Sequence, residues 1–438
     1  MKNKIAVLFT VLLLVGLSSL TAQNYISFPV GQFRQFPDAR SLSLGGAGSV
    51  SLASPGAMLY NPAALTQIGS TVSAQFSLSS RKLEERRSFP LYDRFDSNVG
   101  DGIYAINNNW FLQPEGAVAL RIPLSGLEGL TVAVGSFIEI DQDYRYDEEV
   151  RKNIFGDPLV AYNEVKYDGT LRRYAGAIAF QMPGVPKLAL GFQAGLLDGS
   201  LKYLKQVNYI DTSRQDIVYS ANRTLNNTPL HFSLGATYRA NERITGGFHV
   251  FLPYTVEYSA TDAAGNELME SIGYPLRLNA GFEYRARQEL QARLNMDIGY
   301  EFWSSVDYTG VYDRTAVNNL TDQFGVLVPY TQDLSDVFSF KAGIEHIFFN
   351  RIPFRVGMQY RNSYQQRGNT STLLSAGTGF FGQNWRVDAA AAFSKFSYSW
   401  PDLFDDTLFG GNRSNSPIDD VDEYYFFGKI SLVYNLDF

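Results

Sequence analysis

The sequence predicts an all-β protein: a 14-stranded antiparallel transmembrane β-barrel with an N-terminal plug, or hatch, inside its lumen. Three observations carry this. From Gly69 onward, stretches of about ten to fifteen residues alternate apolar and polar and then end in turns. Their connections alternate between long and short, the pattern of an even-stranded outer-membrane barrel, and a soluble sandwich has no reason to sort them so. The stretch before them, Asp38 to Leu65, fits neither a helical nor a strand period.

In chain order, residues 1–22 read as a secretory signal peptide: Lys2 and Lys4, an apolar run from Ile5 to Leu17, then small polar residues, with cleavage expected after Ala22. The apolar run is too short to span a bilayer as a helix. Removing it takes the formal charge from −7 to −9, because only the two lysines are lost. An acidic chain with little lysine clustering is a poor nucleic-acid ligand. The chain has no cysteine, which excludes disulfides, zinc-thiolate sites and thiol catalysis.

Residues 23–70 read as the hatch. Gly, Ala and Ser dominate Asp38–Leu65, so its backbone can lie close against another surface. A flexible linker has similar composition. The apolar Leu42, Leu44, Val50, Leu52, Met58, Leu59 and Leu65 argue for burial instead.

Residues 71–438 read as the barrel, with strands near 71–82, 108–122, 130–143, 171–183, 188–202, 229–240, 243–258, 271–285, 289–303, 335–349, 352–362, 371–381, 384–400 and 424–438. From Leu276 to Arg285 every even position is apolar and every odd one polar or glycine. Trp110, Trp303, Trp385 and Trp400 fall at strand ends, where amphipathic rings sit at a lipid interface.

The two walls of the lumen differ. Inward positions of strands two to five are small, as at Ala117, Ala133, Gly135, Ala177 and Gly191. Those of strands eight to eleven and thirteen are large and charged, as at Arg277, Arg293, Glu301, Lys341, Glu345 and Arg355. Sterics therefore predict that Gly45–Leu65 packs on the small wall and that the charged wall stays wet. His231 and His249 should face the lumen and His346 lipid, with no Ser or Asp motif beside them, so no enzyme is expected. Acid clusters at Asp141–Glu149, Asp402–Asp406 and Asp419–Glu423 lack the spacing of a calcium loop and read as solvated loop surface. No metal or cofactor is expected.

The run SLGGAG, followed by LYNPAAL, resembles the N-terminal hatch of the FadL/OmpP1/TodX outer-membrane transporters, with Asn61, Pro62 and Ala63 on that family's Asn-Pro-Ala motif. The resemblance implies uptake of hydrophobic molecules, of the long-chain fatty acid or hydrocarbon type, through a plugged barrel. It implies a gating role for Gly45, Gly46, Asn61, Pro62 and Ala63, and lateral release at a kinked third strand, here at Gly135-Ser136. Partners would be a hydrophobic small-molecule ligand, outer-membrane lipid and lipopolysaccharide, and the insertion machinery that reads a last strand ending in an aromatic residue, here Phe438. A monomer with periplasmic termini is expected. The alternative rests on Pro37-Asp38-Ala39-Arg40, which resembles the start of the PorV branch and implies a type IX secretion component that binds protein partners.

Overall fold

The computed structural model describes residues 31–437 apart from 34–35, 96, 153–155, 262–266, 287–290, 314–326, 332–333, 365–369, 405 and 411–417. The signal peptide, its cleavage point and Phe438 lie outside the described residues.

Fourteen strands close a ring in chain order. β1 (Val72–Tyr92), β2 (Asn98–Arg121), β3 (Thr131–Asp141, resumed at Tyr144–Arg151), β4 (Leu159–Gln181) and β5 (Leu188–Tyr209) come first. Each of the next five has one interruption: β6 (Ile217–Leu225, Leu230–Arg239), β7 (Ile244–Phe251, Tyr254–Thr261), β8 (Glu267–Tyr274, Arg277–Arg285), β9 (Ala292–Glu301, Tyr308–Asp313) and β10 (Leu327–Thr331, Val337–Phe348). β11 (Ile352–Asn362), β12 (Thr370–Phe381), β13 (Trp385–Pro401) and β14 (Ile418–Leu436) complete the wall. The ring shuts where β14 pairs with β1, from Val72↔Leu436 to Ser88↔Asp420.

The outer surface of the lower half, the end with short turns, is an apolar belt. Phe76 and Leu78 on β1, Phe354 and Val356 on β11, and Ile430, Leu432 and Tyr434 on β14 are exposed, while their neighbours Ser77, Arg355 and Ser431 are buried. A membrane has to be met by such a face. The belt ends where Lys82, Glu84 and Arg86 on β1 and Lys395 and Asp422 beside them turn outward.

Above the belt the strands continue. β1 has 21 residues and β2 has 24, about twice what a bilayer crossing takes. The connections expected as long loops are therefore largely strand. Charged side chains take over the outward face there, as at Lys82, Glu84, Arg86, Lys166 and Asp168, so the lipid-facing apolar row is lost while the ladder goes on. Pro229, Pro253 and Pro275 lie in the interruptions of β6, β7 and β8, where a residue without an N–H cannot serve the ladder. At Pro253 the inward parity changes: Thr245, His249 and Phe251 are buried below it, Tyr254, Val256 and Tyr258 above it.

The tryptophans correct one expectation. Trp110 is exposed in mid-strand, whereas Trp303 is wholly buried in a short 3-10 turn, stacked on Tyr364 with ring centroids 4.4 Å apart. The Glu301 carboxylate accepts its indole N–H at 2.7 Å, which makes burial affordable.

The N-terminal segment carries α1 (Ala39–Ser43), α2 (Ala57–Tyr60) and a 3-10 turn (Pro62–Gln67). Leu42, Leu44, Val50, Leu52, Met58 and Leu65 are each at most 1% exposed. Burial this complete is incompatible with a linker, and the contacts below show that opposite walls of the barrel enclose the segment.

Candidate functional site

The Asn-Pro-Ala residues meet the small-residue wall. Asn61 Oδ1 accepts the Ala63 N–H at 3.1 Å and so caps the 3-10 turn, in which Pro62 takes the first position, where its missing N–H costs nothing. Asn61 Nδ2 donates to the Ala236 carbonyl on β6 at 3.2 Å. A methyl group on Gly191 of β5 would overlap the Pro62–Ala63 backbone, so that glycine is required by close approach. Leu52, Met58, Leu65 and Ile68 pack with Ala117, Ala119, Ala133 and Ala179 into one apolar cluster.

The first half of the segment does the opposite of what sterics suggested. It rests on the charged wall. Gly45 and Gly46 end α1 in the left-handed region, φ +66° and +80°, and a Cβ on Gly45 would lie 2.5 Å from the Met358 backbone of β11. Leu44 lies against Gly343 and Gly357, so glycines between the charges make the room that the alanines make opposite.

The charges beneath α1 are buried and paired, while Arg293 on the same wall keeps 32% of its side chain exposed, as expected of a wet wall. Asp38 caps α1 by accepting the Ser41 N–H at 2.7 Å. Arg40 reaches Glu345, Glu345 takes Arg355 at 2.5 Å, and Arg355 Nη1 donates to Asp388 at 2.7 Å. Asp388 also takes Arg386 at 2.7 Å, and Arg386 lies 3.6 Å from Asp38. The chain of charges thus starts and ends on α1. Ser49 and Ser51 add bonds to Asp297 and Asn295 of β9. Polar groups of the segment supply the partners that a wall of this kind needs once water leaves.

β3 leaves the wall. Its ladder to β2 runs from Arg121↔Thr131 to Gly116↔Ser136 and stops there. Pro114 of β2 has no N–H to offer, and the Ile138 N–H donates instead to the Glu115 carboxylate at 3.2 Å. Arg172 of β4 bonds both Ser136 Oγ and the Pro114 carbonyl, at 3.3 and 3.0 Å. Gly135, one position before, faces the Phe137 ring and Ala117, and a Cβ there would lie 2.6 and 2.8 Å from them. From Phe137 to Asp141 every residue is buried on both faces, where Val134 just before is 64% exposed. Inside, Gln32 and Phe33 pair with Asp141 and Ile140.

Glu139 is the extra residue of a bulge: Ile138 opposes Arg172 and Ile140 opposes Leu171. Its carboxylate meets Arg173 of β4 and accepts from Arg277 Nη2 of β8 at 2.9 Å. His231 and His249, both buried in the lumen, flank Phe251 beside this group. A polar cavity of about 40 Å³ adjoins it, lined by Glu139, Arg173, His249, Arg277, Asp297 and Tyr60 among others. That is room for about three waters.

The same inward strand joins three apolar clusters. Phe137 belongs to the one under the segment, Ile140 to a middle one with Tyr254, Tyr274 and Trp303, and Tyr144 and Tyr146 to an upper one with Tyr167, Leu201 and Tyr203. The upper cluster is completed by Leu403, Phe404 and Leu408, which dip in from the β13–β14 connection. The acid clusters expected as solvated loop surface are split: Asp141, Asp402, Asp419 and Glu423 are buried, with Asp141 3.0 Å from Arg81, whereas Asp147, Glu149 and Asp420 are exposed. Sequence reasoning missed Glu139 and Arg173. The signal was the run Phe-Ile-Glu-Ile at 137–140, where the alternation of β3 loses its phase.

No family model matches the sequence, and no curated protein does. Solved structures match the fold. A Pseudomonas aeruginosa FadL homologue aligns at TM-score 0.62 and 15% identity over 92% of this chain and 99% of its own. The P. putida toluene transporter TodX gives 0.61 and 14% over 92% and 99%. The Ralstonia pickettii toluene transporter TbuX gives 0.56 and 15% over 92% and 99%. The chain has the fold of these outer-membrane barrels along nearly its whole length.

Proposed function

We propose that this chain takes up hydrophobic molecules across the outer membrane. A ligand enters the upper mouth, moves along the tyrosine-rich column beside β3, and leaves sideways between β2 and β3 into the bilayer, while the N-terminal segment plugs the lumen below. Gly45, Gly46 and Asn61–Ala63 seat that plug, and Gly135-Ser136 mark the edge of the lateral opening. Both termini are periplasmic.

One observation carries the reading. The β2–β3 ladder ends at Ser136, near the exposed Val134, and the strand beyond turns inward to line all three apolar clusters. A solute pore has no use for an apolar column that meets a break in its wall. The similar structures are a FadL homologue and toluene transporters, which supports an uptake role without catalysis. They do not favour a secretion component. The test is uptake of radiolabelled palmitate and toluene by cells that lack their own carrier, with and without this chain. Uptake of either above the control supports the proposal; none, with the barrel folded in the outer membrane, refutes it.

A further inference from the structure

We propose that residues 402–404 and the 3-10 turn Asp406–Phe409, on the connection from β13 to β14, form a lid on the upper mouth. Tyr209 and Arg214 clasp it shut, and a ligand enters when the clasp releases. The inference goes beyond the uptake reading and rests on it for the direction of entry.

The lid crosses the mouth. It leaves from the gap between β13 and β14 and reaches Tyr209, the last residue of β5, and Arg214 in the connection to β6. From the β13–β14 gap to the β5–β6 gap is six steps in a ring of fourteen, close to diametrically opposite. Residues Asp406–Phe409 form a 3-10 turn and not a strand, so the ladder of the wall does not hold them.

A polar clasp and an apolar underside hold the lid instead. The Leu408 carbonyl accepts from Tyr209 Oη at 3.0 Å and from Arg214 Nη2 at 2.8 Å. The Arg214 guanidinium lies 3.8 Å from the Tyr209 ring centre, so the two donors brace one another. Phe409 closes against the same tyrosine, with ring centroids 6.2 Å apart. Beneath, Leu403, Phe404 and Leu408 are buried in the upper apolar cluster. Phe404 stacks on Tyr146 of β3 at 6.4 Å, and Lys205 Nζ lies 5.1 Å from its ring centre.

This hold can be released. Arg214 is exposed, and water can replace two side-chain hydrogen bonds to a single carbonyl at little net cost. The apolar surface under the lid, with Tyr167, Leu201 and Tyr203, is the surface that a hydrophobic ligand has to cover. Lid and ligand are therefore alternative occupants. Opening an empty barrel exposes that surface to water, which keeps the lid shut until a ligand takes its place. Entry then scales with the fraction of barrels that are open.

The chain has no cysteine, so an introduced pair can be cross-linked without rivals. The test uses Tyr209→Cys/Phe409→Cys in cells that lack their own carrier. It follows whichever of radiolabelled palmitate and toluene the wild type takes up, before and after a short bifunctional maleimide. Linking should slow uptake by about tenfold or more, and the same treatment should leave the wild type unchanged. In a second variant, Tyr209→Phe/Arg214→Ala, both donors are gone and uptake at low ligand concentration should rise by about threefold or more. Heat-modifiable migration in gels shows that each variant is folded. A linked barrel that works at the unlinked rate overturns the lid and leaves the uptake reading standing. A folded pair that does not link overturns it too, because the turn is then not seated against β5. An unchanged rate without the two donors overturns the clasp. Uptake of neither compound by the wild type overturns the uptake reading and the lid together.

Discussion

Arg40 of the inner segment holds Glu345 of β10 through two nitrogens, Nε at 3.1 Å and Nη2 at 3.3 Å, with both side chains almost wholly buried. Removing Arg40 takes two bonds from the Glu345 carboxylate but leaves it paired with Arg355. We expect Arg40→Ala to cost the seated segment about 1–3 kcal/mol and to sensitise cells to large antibiotics. Arg86→Ala, which breaks an exposed pair with Glu84 on the outer face, should leave antibiotic sensitivity unchanged, because solvent screens such a pair. Equal sensitivity of the two strains would separate the segment from the permeability barrier.

Gly191→Leu should lift Asn61–Ala63 off β5, because no side chain fits against that backbone. The segment then becomes open to added protease in the purified barrel. Gly176→Ala serves as the control, since its Cβ would meet nothing nearer than 3.8 Å and should leave the segment protected. Protection retained in Gly191→Leu would mean that the seat yields and the close contact is not needed.

How much of this was legible follows from these residues. The fourteen strands were readable because, within the belt, one face meets lipid and the other does not, so period two is enforced. The Asn-Pro-Ala turn and the alanine wall were readable for a similar reason, since small residues imply a close neighbour. Where the segment rests on Gly343 and Gly357, the isolated glycines were masked by the charges between them. Which charge pairs with which is set by the curvature of the closed barrel, and Arg40–Glu345 joins residues 305 positions apart. The upper halves of the strands were hidden because their outward face turns charged, as at Lys82, Glu84, Arg86, Lys166 and Asp168, so no apolar lipid-facing row marks them.

The connection after β13 gives a pH dependence. Burial, followed by the nearby Asp419 and Glu148 carboxylates, pushes Asp402 up to about 8. A raised carboxyl favours the folded arrangement in its protonated form. Its stabilisation is complete below the ordinary carboxylate range near 4 and is lost as the pH climbs through about 8. The segment bearing Leu403, Phe404 and Leu408 should therefore leave the mouth more readily at pH 9 than at pH 5. Hydrogen exchange at the Phe404 amide, which donates to Asp402 at 3.1 Å, reports this after correction for intrinsic base catalysis. Asp402→Asn should flatten the profile, and an unaltered profile would place the titration elsewhere.

Orientation has a direct readout. An epitope inserted at Thr212, in the upper connection between β5 and β6, should bind antibody on intact cells, and one at Gly184, in the lower turn between β4 and β5, should bind only after the outer membrane is opened. The reverse result would invert the barrel and with it the direction of transport.

The central claim is that the ligand travels the aromatic column and leaves through the wall between β2 and β3. Photocrosslinking of a diazirine-tagged palmitate during uptake into outer-membrane vesicles tests it most directly. Adducts should fall on the column, at Tyr167, Leu201 and Tyr203, and then at the break, on Pro114, Glu115 and Phe137–Asp141. Adducts on the lower turns and on the inner segment's base, with none at the break, would contradict it and would mean a vertical path through the plug.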